Sequence, residues 1–255
     1  MTSPRTVPLP SPRSAEPVPY ENRSPRPFAA AFRALVCLAA VTGVVIDLGT
    51  GPPLQILSHF AIQANLLVAV TFAWSAHRAR RGGPPLSPWL AGGVLALIAI
   101  TGLVHHLILA NSAGAFSMTD APGHAITGLR TVSHQLLHTV TPLAAALDWL
   151  LLTTPRTLRL RFIPLWLLHP VAYLAFALTR GARLSPGSEP RYPYPFLDVD
   201  AYDYPGVLTN ALALGLLFAA LATLLVGLDR VRPEAWGPPP SRRNRISPPA
   251  AGGLK

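Results

Sequence analysis

The sequence predicts an all-α protein, an integral membrane bundle of six transmembrane helices with both termini on the cytoplasmic side. Three observations carry this. First, 50% of the 255 residues are hydrophobic and only 13% are charged, whereas soluble domains carry about 25% charged residues. Second, six apolar segments approach the roughly 20 residues that a helix needs to cross a bilayer. Third, the basic residues alternate between connections as the positive-inside rule requires. The mean hydropathy is +0.37. The net charge of +10 falls on the tails and on alternate connections, so it reads as a topology signal and no nucleic-acid partner is expected. Lys255 is the single lysine, and arginine, alanine, proline and leucine are abundant. That bias fits a high-GC bacterial genome, and hence a bacterial plasma membrane.

Residues 1–27 are rich in Pro, Ser and Arg and poor in large aliphatic side chains. They are expected to form a disordered cytoplasmic tail and not a signal peptide, because no apolar core follows a short basic start. The six spans are expected at 28–48, 54–76, 89–110, 127–153, 162–179 and 206–228, within a transmembrane domain of residues 28–230. The fifth is marginal in length. Residues 231–255, with Pro238-Pro239-Pro240-Ser241-Arg242-Arg243, read as a second disordered basic tail. Arg5, Arg13, Arg23 and Arg26 mark the first tail, and Arg78, Arg80 and Arg81 the second connection. Arg156, Arg159 and Arg161 mark the fourth connection, and Arg230, Arg232, Arg242, Arg243, Arg245 and Lys255 the last segment. The other three connections are neutral, acidic or mixed, which places them outside. The lone Cys37 permits no intrachain disulfide and reads as a small core residue.

This orientation gives each polar residue a depth. Ser58, His59, Gln63 and Asn65 fall in the outer half of span two. His105 and His106 end span three, and Asp47 ends span one. His134 and His138 fall about 5–10 Å below the outer interface at the start of span four. They are four residues apart, so the two rings share a helix face. Thr179-Arg180, Thr209-Asn210 and the outer loop Tyr192-Pro193-Tyr194-Pro195-Phe196-Leu197-Asp198 complete the outer side. The inner half offers Asp148, read as an interfacial anchor or a partner for a loop arginine. His169, before Pro170 and near mid-depth, is read as bonding a carbonyl freed by a kink. Unpaired polar groups in hydrocarbon cost several kcal/mol each. The economical expectation is a polar chamber, open outward or to the outer leaflet, walled by spans two, three and four.

Three chemistries suit such a chamber. Histidines at i, i+4 can ligate a metal if further ligands join them, and His59, His105 or His106 are the candidates. Haem would need axial histidines on facing spans, with His138 and His106 as the pair. Acid–base chemistry would use one histidine as general base to a hydroxyl, Ser58 or Thr139, with Gln63 and Asn65 as donors. No Gly-x-Ser-x-Gly elbow is present.

Three motifs then stand in order: Phe60-Ala61-Ile62-Gln63-Ala64-Asn65-Leu66-Leu67 in span two, residues 134–142 in span four, and Tyr194-Pro195-Phe196-Leu197-Asp198 before span six. Over residues 30–230 the chain resembles the six-span bacterial membrane proteins related to the eukaryotic androgen-induced-gene membrane proteins. The resemblance implies a threonine-dependent hydrolase of fatty acid esters of hydroxy fatty acids, with its histidine at His138, followed here by Thr139. The family's threonine falls on Ala61, which cannot be a nucleophile, so Ser58 is the candidate replacement.

The expected function is therefore that of a multi-pass membrane protein with an outward-facing polar chamber. Its candidate activity is lipid ester hydrolysis, with His138 and Ser58 catalytic. Gln63, Asn65, His106, His134, Tyr194, Phe196 and Asn210 are the candidate substrate-binding residues. The alternative is a non-enzymatic protein that binds a lipid or small ligand, and behind it a metal or haem binder. Membrane lipids are the expected partners, with an acyl lipid as candidate substrate, and no resident cofactor or metal is expected.

Overall fold

The computed structural model of the chain describes residues 25–111, 115–116, 118, 128–186 and 190–233. The expectations for 1–24, 234–255, Asp120 and Glu189 lie outside the described residues. Eight α-helices are present among them, and no strand. They are α1 (Pro27–Thr50), α2 (Pro53–Leu57), α3 (Phe60–Arg80), α4 (Pro88–Val104), α5 (Leu129–Gln135), α6 (Thr141–Leu152), α7 (Ile163–Arg183) and α8 (Val199–Val231). A π-helical turn, His105–Leu109, extends α4, and another, Leu136–Val140, joins α5 to α6. Six helical stretches are long and apolar enough to cross a membrane, as expected. They are Pro27–Thr50, Phe60–Arg80, Pro88–Leu109, Leu129–Leu152, Leu160–Arg183 and Val199–Val231.

Span two differs from its expected course. The segment predicted at 54–76 breaks at Ser58–His59, where His59 is extended (φ −80°, ψ 135°). The two prolines of Pro52-Pro53 start the five-residue α2. Its last turn closes on itself, because the Ser58 hydroxyl donates to the Gln55 carbonyl. Ser58 therefore does not lie one turn back along α3. A short helical segment precedes the sixth span and is broken from it at the non-helical Asp203, close to the predicted start at 206. Asp198 caps α8 by accepting from the Asp200 N–H (2.9 Å), and the helix kinks at Asp203, two residues before Pro205.

Span three is the hub, packed against α3, α6, α7 and α8. Its apolar window is 56% buried, the highest share of the six. The main core gathers Val68, Val94, Ile98, Ala145, Trp166, Phe218 and their neighbours from α3, α4, α6, α7 and α8. Many other aliphatic side chains point outward, such as Leu35, Val70, Leu168, Leu212 and Leu216. An apolar exterior is costly in water and favourable in lipid.

One end of the bundle is held by buried charge. Arg33 of α1 pairs with Asp148 of α6 at 2.8 Å, and both are almost fully buried. Asp148 thus has a partner inside span one, not the loop arginine that the sequence suggested. Asp229 of α8 is wholly buried and satisfied on every side. It accepts from the Thr157 N–H (2.7 Å), the Leu158 N–H (2.8 Å), the Trp149 Nε1–H (3.2 Å) and Arg232 Nε (2.8 Å). The Arg26 N–H donates to the Ala79 carbonyl (2.9 Å) and the Arg156 N–H to the Asp229 carbonyl (3.0 Å). The start of α1, the ends of α3 and α8 and the α6–α7 connection therefore meet at one end.

Candidate functional site: a histidine cluster beside an apolar cavity

The two π-helical turns lie at the other end of the bundle and carry His105, His106 and His138, with His134 in the last turn of α5. Proline 142 has no N–H for the His138 carbonyl. The Thr141 N–H reaches back five residues to the Leu136 carbonyl, so the Leu137 carbonyl loses its helical donor. Asn65 of α3, fully buried, fills the gap. Its amide donates to the Leu137 carbonyl (3.1 Å) and to its own-helix Ala61 carbonyl (2.9 Å). The His138 carbonyl rests against Gly102 of α4, where a Cβ would lie 3.2 Å from it. In the matching turn of span three, the Ala110 N–H reaches back to the His105 carbonyl (2.8 Å). Such turns are rare and recur at functional positions.

His105, His134 and His138 form a near-equilateral triangle. Their ring centroids are 4.4 Å (His105–His134), 4.5 Å (His105–His138) and 4.5 Å (His134–His138) apart. One ring nitrogen from each lies within 4.8 Å of the other two, and all three side chains are half-buried. His138 Nδ1 lies 3.1 Å from the His134 carbonyl. A carbonyl only accepts, so Nδ1 carries the proton and Nε2 keeps its lone pair. His106 is exposed; its ring is 4.8 Å from His105, and its Nε2 meets the Thr139 hydroxyl at 3.0 Å. Ser133 donates to the Asp47 carboxylate and to the Gly43 carbonyl (2.9 Å), fixing α5 to α1.

Behind His138 lies a cavity of about 170 Å³. Phe60 and Ala61 of α3, Thr101 and Val104 of α4, Leu174 of α7 and Gly215 of α8 are among its walls, with Tyr194 and Phe196 from the outer loop. The expected polar chamber of spans two, three and four is corrected on two counts. The cavity is almost wholly apolar, and spans five and six help to enclose it. The polar side chains that were to line it point elsewhere: the Asn65 amide N–H groups bond backbone while its Oδ1 is buried without a partner among the described residues, and Gln63 donates to the Leu57 carbonyl (3.2 Å).

The loop before α8 closes the cavity. Tyr194 and Phe196 stack at 5.1 Å. The Tyr194 hydroxyl accepts from the Ala61 N–H (3.3 Å), and burial pushes its pKa up to about 12. The Tyr173 hydroxyl donates to the Ser58 carbonyl (3.0 Å). His59, between α2 and α3, stands edge-on to Tyr194 at 5.6 Å, and burial lowers its basicity. Asn210 donates to the Phe196 carbonyl (3.2 Å), holding the loop to α8. Gly181 is required here, since a Cβ would lie 2.0 Å from the Tyr192 ring.

Of the residues singled out in the sequence, His138, Tyr194 and Phe196 wall the cavity. His134 and His106 adjoin His138 in the cluster, while Asn65, Gln63 and Asn210 bond backbone carbonyls. Ser58 is buried outside the lining, and its hydroxyl is engaged with Gln55. Ala61 walls the cavity together with His138. His169 does not bond the carbonyl expected of it through Nδ1, which is buried without a partner among the described residues; its ring stands edge-on to Phe60 at 5.2 Å. Sequence reasoning missed two residues. Thr101 lines the cavity with its hydroxyl donated to the Leu97 carbonyl (2.8 Å), and nothing in its apolar run set it apart. Arg33 was legible as the lone cation inside span one.

Fold and site together define a multi-pass helical membrane protein with a histidine cluster next to an apolar cavity. Comparison of the chain with protein-family models, with curated proteins and with solved structures returned no match.

Proposed function

We propose that the protein holds the acyl chain of a membrane lipid in the cavity behind His138, in a bacterial plasma membrane with both termini cytoplasmic. The observation that carries this reading is the lining: an almost wholly apolar cavity between spans, with the His138 imidazole in its wall and His105 and His134 beside it. Within a bilayer the abundant apolar ligand is a lipid chain. The cavity suits a hydrocarbon tail, and the histidines suit a polar headgroup. The orientation is supported by the meeting of the start of α1 and the end of α8 with the two arginine-bearing connections at one end.

Gly215 provides the test. It lines the cavity, and a Cβ added there meets nothing within 4 Å. Gly215→Leu fills the space while removing a glycine from a helix, which favours the helix by about 1 kcal/mol. Purified wild type is expected to bind a fluorescent polyene fatty acid and Gly215→Leu to lose that binding with its folding intact. Equal binding by both would sink the reading.

Ester hydrolysis is a second reading, favoured by the resemblance of residues 134–142 and by one observation: His138 stands in the cavity wall. His138 would act as base, with its Nε2 lone pair free for that role. A fluorophosphonate probe is expected to label wild type and not His138→Ala; an unlabelled wild type would exclude it.

A further inference from the structure

We propose that His105, His134 and His138 bind a divalent transition-metal ion of the zinc class. The inference goes beyond lipid binding and does not depend on it. Three imidazoles converge from two spans, each with a ring nitrogen within 4.8 Å of the other two. Nitrogens at about 2.0–2.1 Å from a tetrahedral ion are roughly 3.3 Å apart, so small side-chain rotations close the site. His138 already has the arrangement of a metal ligand. Its Nδ1–H is committed to the His134 carbonyl at 3.1 Å, which leaves Nε2 for the ion. Metal-bound histidines characteristically donate their second nitrogen in this way.

The backbone is a second, independent observation. Both spans depart from α-helix at this cluster, in the turns His105–Leu109 and Leu136–Val140 that carry His105 and His138, while His134 ends α5 just before the second turn. The extra residue in each turn re-aims the side chains, and Asn65 repairs the backbone group that the second turn leaves open. A cation bound between the three rings would take one lone pair from each. The donor set is neutral nitrogen without thiolate, which selects Zn2+, Co2+, Ni2+ or Cu2+ over Ca2+ and Mg2+. Asp47, bonded to Ser133 beside His134, supplies a nearby negative charge. Three protein ligands leave a fourth position open.

The test uses the purified full-length chain, stripped with a chelator and titrated with Zn2+ alone, with metal content read after dialysis. Wild type is expected to retain one ion per chain. His105→Gln and His134→Gln should each weaken binding more than about tenfold, while His59→Gln and His77→Gln leave it unchanged. Co2+ added to wild type should give the intense visible bands of a four-coordinate site, a readout that needs no variant to fold. Retention of metal by the triple variant His105→Gln, His134→Gln, His138→Gln, or a weak six-coordinate Co2+ spectrum from wild type, would overturn the proposal.

Discussion

Individual residues carry their weight here mainly through buried polar partners. Asn65 is the clearest case, because its amide replaces a hydrogen bond that the π-helical turn takes away from Leu137. Asn65→Leu leaves that carbonyl unsatisfied, which costs about 1–3 kcal/mol; a lowered thermal midpoint in detergent would register it. The Arg33–Asp148 pair makes a larger demand. Asp148→Ala strands a buried guanidinium, and losses of about 3–5 kcal/mol are usual for one broken partner. Replacing both residues with apolar ones should restore much of the loss, and a thermal-melt cycle over the single and double variants would show it. Tyr194 adds a pH dependence outside the spans. Its folded-state pKa is raised from 10.0 to about 12 by burial, so the unfolded chain gives up this proton first. The contribution is complete below pH 10 and is lost as pH rises through about 12. Tyr194→Phe should flatten that alkaline loss in a melt series.

At the scale of elements, length and hydropathy made the spans legible, while the irregularities that build the site left little trace. Two π-helical turns change neither composition nor apolar content. Pro142 was the visible cue, and the deficit that it creates in its own helix could be read. That the carbonyls would meet Asn65 and Gly102 depends on packing between spans. The break at Ser58–His59 was signalled by Pro52-Pro53, yet the apolar run across it reads as continuous. His134 and His138 could be paired by spacing alone; His105 joined them only through the contact between α4 and the second π-helical turn. The polar chamber failed as an expectation because amides such as Asn65 and Gln63 met backbone instead of a ligand. The outer loop offers a test at this scale. Gly181→Ala sets a methyl against Tyr192, and overpacking of this kind costs about 1–3 kcal/mol. Faster protease cleavage of the loop between α7 and α8, with the spans intact, is the expected result.

For the whole molecule, the arrangement divides the bundle into two ends with different chemistry. One end is fixed by the ion pairs Arg33–Asp148 and Arg232–Asp229. The other carries the histidines and the aromatic loop above the cavity. Buried charge anchors α1, α6 and α8, and at the other end α7 and α8 contribute to the cavity wall. The proposed orientation can be tested in a Cys37→Ala background. A cysteine replacing Arg183 should react with an impermeant maleimide added to intact cells, and one replacing Arg78 should not; the reverse pattern would invert the topology. The central claim is a lipid chain behind His138. A diazirine-bearing fatty acid, photolysed with the protein in nanodiscs and mapped by peptide mass spectrometry, tests it most directly. Labels concentrated on Leu174, Leu214 and Phe196, and lost in Gly215→Leu, are the expected result. Labels spread evenly over outward-facing positions such as Leu212 and Leu216, unchanged in that variant, would contradict it.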